Sequence, residues 1–355
     1  MLKKITKIAL IFLGIAVTVI LMAAGIFFAA RLMLTIDAQG ATSSTQKIED
    51  SVKEDNKSGE QERLNFLIMG KDKSSGLCDV IMLASYNITD SSVGVIQIPR
   101  DTYAEFTDGS YKKLNGAVSA LGGERAFCDF LSEALSVRID HYVSLDLDAV
   151  GEIVDELGGI EVNVPCDMDY EDAVQGLYIH IKKGKNILDG DMAEQFVRFR
   201  SSYLEGDIGR IDAQKIFLAA LFQKLRNDTS VFELGALAAK IADDVKTSFS
   251  IQDMLVLAKR ALSVSSEKIS FATIAGEGAV ATKSGASYYV ISRPSAIEMI
   301  NEVLGENIKE DEFDRDSVFL NENYKEFKRI YSSKAEYKIY SASQLSENGI
   351  DIAHK

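Results

Sequence analysis

The chain has 355 residues, with 53 Asp and Glu against 39 Lys and Arg and a formal net charge of −14. So acidic a body repels phosphate backbones, which argues against a nucleic-acid binder and confines any anion-binding function to a local basic pocket. The length admits one large domain with appendages, or two domains.

Lys3, Lys4 and Lys7 precede an unbroken apolar run from Ile8 to Ala30, closed by Arg31. At about 1.5 Å per residue in a helix, this run spans the hydrocarbon core of a bilayer. It reads as an uncleaved transmembrane anchor behind a cytoplasmic tail (1–7). The Ala-Ala pairs near Ala23 and Ala29 leave a cleaved signal peptide as the alternative. Lysines on the N-terminal side put the N-terminus in the cytoplasm and the bulk of the chain outside the cell membrane. Residues 31–62 are dominated by Ser, Lys, Glu, Gln and Asp towards their end and read as a flexible extracellular linker.

The folded domain is expected over 63–305. Leu64–Gly70 reads as a buried strand, and Val80–Tyr86 and Val93–Ile98 as a strand pair turning through Asn87–Ser92. The polar stretch Lys71–Asp79 reads as a loop at a strand end, where open α/β sheets place their sites. Pro99 ends the next ladder, and Arg100 follows it at the same edge. A helix is predicted over Ala117–Leu135, broken at Gly122-Gly123, then a strand over Ile139–Leu147. Next come a helix over Asp148–Leu157, closed by Gly158-Gly159, and strands over Ile160–Pro165 and Leu177–Ile181. Helical stretches over Val231–Val245 and Ile251–Leu262, strands over Lys268–Ile274 and Tyr288–Ile291, and a helix over Ser295–Leu304 complete the pattern. Residues 306–355 are more polar and read as a C-terminal extension of unknown role, a small add-on or surface-lying segment. Alternating strands and helices predict an α/β/α sandwich around a central mixed sheet, preceded by one transmembrane helix.

Cys78, Cys128 and Cys166 are odd in number and lack the C-x-x-C spacing of a zinc site. They read as small buried side chains, with one disulfide plus a free thiol as the alternative. His141, His180 and His354 are too scattered for a metal cluster or a catalytic triad, and the chain has neither a P-loop nor a G-x-G-x-x-G fingerprint.

Chemistry concentrates in Asp191–Leu225. Asp191 and Glu194 have capping-box spacing, which predicts a helix starting at Met192. In a helix Arg198 and Arg200 would diverge by about 200°, whereas in extended chain they face one side. If both serve one anion, the backbone leaves the helix near Phe199. Ser201–Gly206 then reads as a loop, and Asp207 as the cap of a second helix on which Arg210 and Gln214 share a face. A helix N-terminus favours negative charge, and guanidinium groups grip phosphate oxygens in pairs. The competing reading pairs these arginines with Glu194, Glu205 or Asp207 as surface salt bridges.

The motifs IMGKD (Ile68–Asp72), CDVIMLAS (Cys78–Ser85), IQIPRDTY (Ile96–Tyr103), KLNGAVSALGG (Lys113–Gly123), LDGDMAEQFVRFR (Leu188–Arg200) and GDIGRIDAQ (Gly206–Gln214), in this order behind a membrane anchor, resemble the LytR-CpsA-Psr family of envelope glycopolymer transferases. The resemblance implies transfer of a phosphorylated glycopolymer, teichoic-acid-like or capsular, from a polyprenyl-pyrophosphate carrier to a peptidoglycan acceptor, with Mg²⁺ or Mn²⁺. It implies Asp72 and Asp79 as metal ligands, Arg100, Arg198, Arg200, Arg210 and Gln214 as pyrophosphate-binding residues, and Asp207 as an acidic residue near the site, either base or helix cap. The chain departs from the family pattern at Lys73, Leu77 and Ala213, where the family often carries arginine or a more basic sequence. Phe217, Leu218, Leu221 and Phe222 would line the family's lipid cavity or simply build core. Two other functions fit the same residues: hydrolysis of the lipid pyrophosphate, and non-catalytic binding of polyprenyl phosphate by an envelope regulator.

Overall fold

The computed structural model describes residues 63–348, except 73–74, 107–112, 147–148, 173–176, 200, 202, 204–206, 228–243, 251–252, 254–256, 258–259, 261–263 and 321. The expected anchor (8–30) and linker (31–62) lie outside the described residues. Among the described residues, no helix is long and apolar enough to cross a membrane.

Strands β1 (Arg63–Lys71), β2 (Cys78–Asn87) and β3 (Ser92–Gln97) form an antiparallel meander. β2 is buried at every position. Cys78 and Asp79 therefore belong to this strand and not to the loop predicted to end at Asp79, because Lys71 pairs with Cys78 across a register shift at Gly70/Lys71. The glycine pair splits the next helical stretch into α1 (Ala117–Leu121) and α2 (Glu124–Leu135). Gly122 and Gly123 take φ of 92° and 135°, which strain any residue with a Cβ. β4 (His141–Asp146) runs parallel to β1, and α3 (Ala149–Glu156) ends at the glycines expected to cap it.

Beyond α3, β5 (Ile160–Val164) pairs with β8 (Gly184–Leu188), and β6 (Met168–Asp172) with β7 (Leu177–Ile181). β6 and β8 alternate polar residues outward and carry no apolar run, which hid them from pattern reading. α4 (Gly190–Arg198) and α5 (Asp207–Asn227) follow. β9 (Val245–Thr247) occupies the end of a stretch predicted helical; the rest of Val231–Val245 lies outside the described residues. Of Ile251–Leu262, only Asp253, Leu257 and Arg260 are described, and all three are helical. β10 (Ile269–Thr273), β11 (Gly276–Val280), β12 (Ser287–Ile291) and α6 (Arg293–Leu304) lead into the C-terminal region.

That region is built into the fold and is not an add-on. After α7 (Lys328–Ser332), β13 (Ile339–Ser341) pairs antiparallel with β10, and α8 (Ala342–Asn348) packs against α5. Phe313, Phe319 and Leu345 are at most 1% exposed, so residues past 305 supply core that the polar average of the segment concealed. Asp314 anchors the segment by accepting hydrogen bonds from the N–H groups of Val318 (2.6 Å) and Phe319 and from the Tyr331 hydroxyl (2.6 Å). Burial holds its carboxyl above the usual range despite these donors.

The main sheet has the order β13-β10-β3-β2-β1-β4-β9. Strand alternation separates two cores. Phe66, Ile68, Met82 and Val95 face α3, α4, α5 and α8, whereas Leu67, Met69, Leu83 and Ile96 face α2 and α6. This is the mixed central sheet with helices on both faces. Each large apolar side chain buried this way contributes about 1.5–3 kcal/mol. The carboxyl ends of the neighbouring parallel strands β3 and β10 point to one edge, where α5 crosses.

Candidate functional site

The acidic pair comes from the two arms of one hairpin. At the end of β1, Asp72 is 2% exposed and organises its turn. Its backbone N–H donates to the Leu77 carbonyl (2.9 Å), its carbonyl accepts from Gly76 (2.7 Å), and its Oδ1 accepts from the Ser75 N–H (2.6 Å). Asp79 stands one residue into β2, buried, with its Oδ1 accepting from Arg100 Nη1 at 2.9 Å. Burial raises the Asp79 carboxyl above the ordinary range; Arg100 pulls it back, the Asp72 charge pushes it further up, and Arg210 opposes both. Two carboxylates and two guanidinium groups thus act on one locus.

Arg100 is delivered by the turn that stops β3. The Thr102 N–H and hydroxyl both donate to the Pro99 carbonyl (2.9 and 2.6 Å), and the Arg100 carbonyl accepts from Asn115 (3.0 Å). Asp101 beside it is paired with Lys113 (2.9 Å).

α4 starts at Gly190 and not at Met192. Asp189 is the cap, accepting from the Met192 N–H at 2.8 Å, because its extended backbone turns the carboxylate onto the first turn. Glu194, freed from the capping box, pairs with Arg198 at 3.2 Å. Phe199 is extended (φ −62°, ψ 137°), so the chain leaves the helix at the residue expected if Arg198 and Arg200 serve one anion. The Glu194 pair is one that the competing reading named, but Arg198 is 9% exposed, so the pair is enclosed and not on the surface. Arg200 lies outside the described residues, as do Lys73 and the side chain of Asp207. α5 begins at Asp207 itself, which puts that residue inside the first turn.

Arg210 is 1% exposed on the first turns of α5. Behind it, Tyr203 packs edge-on against Phe199 (ring centroids 5.4 Å apart) and lies against Gly209, where an added Cβ would meet Tyr203 Cβ at 2.5 Å. One turn on, Gln214 is fully buried. Its Oε1 accepts from Gln97 Nε2 at 3.1 Å, and its Nε2 donates to the Val197 carbonyl at 3.4 Å. Next to it, Lys215 is 2% exposed and donates to Asp212 (2.8 Å) and Thr273 Oγ1 (2.6 Å), with its ammonium 5.9 Å from the Tyr340 ring.

Sequence reasoning passed over Gln97 and Lys215. The available signal for Gln97 was an amide in an otherwise apolar strand, two residues before Pro99; for Lys215 there was none, since a lysine on a helix usually faces water. Ala213 is fully buried in the core cluster that holds Phe217, Leu218, Leu221 and Phe222, together with Phe196 and Leu345. All three cysteines are free; burial raises each thiol, that of Cys128 to about 12.

Among the described residues, no group of three or more His, Cys, Asp and Glu side chains gathers to hold a metal. Asp72 and Asp79 are a two-carboxylate set, which suits Mg²⁺ shared with substrate phosphates better than an all-protein cage.

The sequence profile of the LytR_cpsA_psr family matches residues 32–304. The chain belongs to this family. The polyisoprenyl-teichoic acid–peptidoglycan teichoic acid transferase TagV of Bacillus subtilis is 29% identical over 237 residues, covering 66% of this chain and 60% of that protein. The enzyme TagU of Enterococcus faecalis, of the same descriptive name, is 28% identical over 263 residues, covering 72% of this chain and 84% of its own length. The crystal structure of B. subtilis TagV superposes with a TM-score of 0.59 at 26% identity, covering 70% of this chain and all of that one.

Proposed function

We infer that the protein is a glycopolymer–peptidoglycan phosphotransferase, moving a teichoic-acid-like or capsular polymer from a polyprenyl-pyrophosphate carrier to the cell wall. The observation that carries this reading is the gathering of Asp72, Asp79 and Arg100 at one end of three adjacent strands, with the charge of the buried Arg210 acting on Asp79. Membership of the family and likeness to named teichoic acid transferases support it.

In the reaction, an acceptor hydroxyl oxygen bonds to the phosphorus next to the sugar, and the bond from that phosphorus to the bridging oxygen breaks. The polyprenyl phosphate leaves, and the hydroxyl proton passes to a base, for which Asp207 is the candidate. Arg198, Arg200 and Arg210 would hold the pyrophosphate oxygens and stabilise the charge that spreads over them. Arg100, oriented by Asp79, would join them at the same oxygens. Asp72 and Asp79 would hold a Mg²⁺ or Mn²⁺ ion, which when bound supplies further neutralisation of the phosphoryl oxygens. The apolar run 8–30 keeps the domain at the outer face of the cell membrane, within reach of a lipid-borne substrate.

The test uses full-length protein in vesicles with a polyprenyl-pyrophosphate-linked glycopolymer, peptidoglycan and Mg²⁺. Polymer covalently attached to peptidoglycan, lost on adding EDTA, is expected. Equal release of free polymer without acceptor would make the protein a hydrolase, and binding without turnover would make it a regulator. Protease added outside protoplasts should digest residues 37–355; protection of that region would overturn the topology.

A further inference from the structure

Gln214 is useful to an anion only through its amide NH₂, and the amide of a glutamine can be turned either way. Its orientation here is dictated by a neighbour. The Val197 carbonyl, one of the last carbonyls of α4 and without a helical partner of its own, can only accept; Gln214 Nε2 meets it at 3.4 Å. The Gln214 oxygen must then face Gln97, and Gln97 must present its NH₂, as it does at 3.1 Å. The arrangement leaves Gln97 Oε1, in a residue 3% exposed, with no hydrogen-bond donor. A buried acceptor without a donor is a standing cost to the fold, which a methionine of similar size would not carry.

We propose that Gln97 is a positioning residue: it fixes the amide of Gln214 with its NH₂ toward the α4 exit, and so locks α4, α5 and the end of β3 in the spacing that the arginine cradle needs. This rests on the pyrophosphate-binding reading of the site. Thr273, the register partner of Gln97 on β10, accepts a hydrogen bond from the adjacent Lys215, so two consecutive residues of α5 are tied to the ends of two neighbouring parallel strands. Arg198 follows Val197 directly, and Arg210 precedes Gln214 by one turn. Slack in the Gln97–Gln214–Val197 chain therefore moves both guanidinium groups relative to Arg100.

The experiment is a double-mutant cycle on the full-length protein, with inorganic pyrophosphate in the presence of Mg²⁺ as the calorimetric probe. Gln97→Met and Gln214→Met should each weaken binding by about 10- to 100-fold, the range for losing a hydrogen bond that serves a charged group. The double variant should bind no worse than Gln214→Met alone. In turnover, Gln97→Met should raise KM for the lipid-linked donor and spare kcat, whereas a smaller folded fraction would lower kcat and spare KM. Gln97→Met removes one orphaned acceptor, Gln97 Oε1, and strands another, Gln214 Oε1, so its melting temperature is expected close to wild type. Wild-type affinity in Gln97→Met, or losses that multiply in the double variant, would overturn the proposal and leave the cradle intact. Failure of the wild-type protein to bind pyrophosphate would overturn the cradle itself, and the role of Gln97 with it.

Discussion

Arg100 Nη1 donates to Asp79 Oδ1 at 2.9 Å across the facing ends of two antiparallel strands. The pair joins one residue from the acidic set to one from the basic set, so neither set is free to move alone. It also defines a conflict between stability and function. Burial and the nearby Asp72 charge disfavour the ionised form of Asp79 more than Arg100 favours it, so its folded pKa lies above its unfolded one. A carboxyl raised in this way contributes stability that is fully present below its unfolded pKa and lost as pH rises through its folded pKa.

Asp79→Asn should therefore cut metal-dependent turnover by roughly 100-fold or more while leaving neutral-pH stability equal or higher. It should also flatten the decline of melting temperature between acid and neutral pH. Parallel melting curves from pH 4 to 8 for variant and wild type check this. A fall in neutral-pH melting temperature would mean that the Arg100 pair outweighs burial.

Arg198 is enclosed and paired with Glu194 at 3.2 Å. Lysine keeps the charge but loses the planar donors. Arg198→Lys and Arg200→Lys should each cost about 2–4 kcal/mol of transition-state stabilisation, by analogy with losing one oxyanion donor. The measurement is the initial rate of polymer transfer alongside melting temperature. Near-wild-type rates for both would return these arginines to structural ion pairs.

Gly209 lets the first turn of α5 lie against Tyr203, where a Cβ would come within 2.5 Å of the Tyr203 Cβ. The contact is with a ring root and not with a flexible tip. Gly209→Ala should cost about 1–3 kcal/mol of stability as an overpacked site and displace Arg210 next to it. Chemical denaturation together with pyrophosphate affinity reports both effects. Loss of stability without loss of affinity would separate Gly209 from the cradle.

Lys215 and Asp212 are a nearly dry ion pair, at 3% and 15% side-chain exposure. Removing either partner of such a pair strands the other charge, whereas replacing both with apolar side chains of similar volume does not. Asp212→Ala should destabilise the protein by about 3–5 kcal/mol, and the double replacement of Asp212→Leu with Lys215→Met should be near neutral or stabilising. Urea titrations of both variants decide it; equal losses would show that the pair itself holds α5 to β10.

The amino-acid sequence by itself determined those features whose cause is local. The apolar runs of β1 and β2, the Gly122-Gly123 break and the glycine caps at 158 and 159 each follow from side-chain period or backbone sterics within a few residues. The arginines and Gln214 were legible as an anion-binding set from their types and spacing, whereas Asp72 and Asp79 stood out only through the family resemblance. Local competition misplaced the cap of α4: Asp189 and Asp191 both fit the first turn, and only the backbone angle of Asp189 chose between them. The tertiary structure alone decided which distant groups meet. Gln97 reaches Gln214 across 117 residues, β13 completes the sheet from beyond the family match, and Lys215 is buried because β10 and β13 close over it. These pairings depend on the lateral order of strands, which is set by the crossovers between them. Hydrophobic periodicity says which face of a strand is buried, and carries no information about which strand lies beside it.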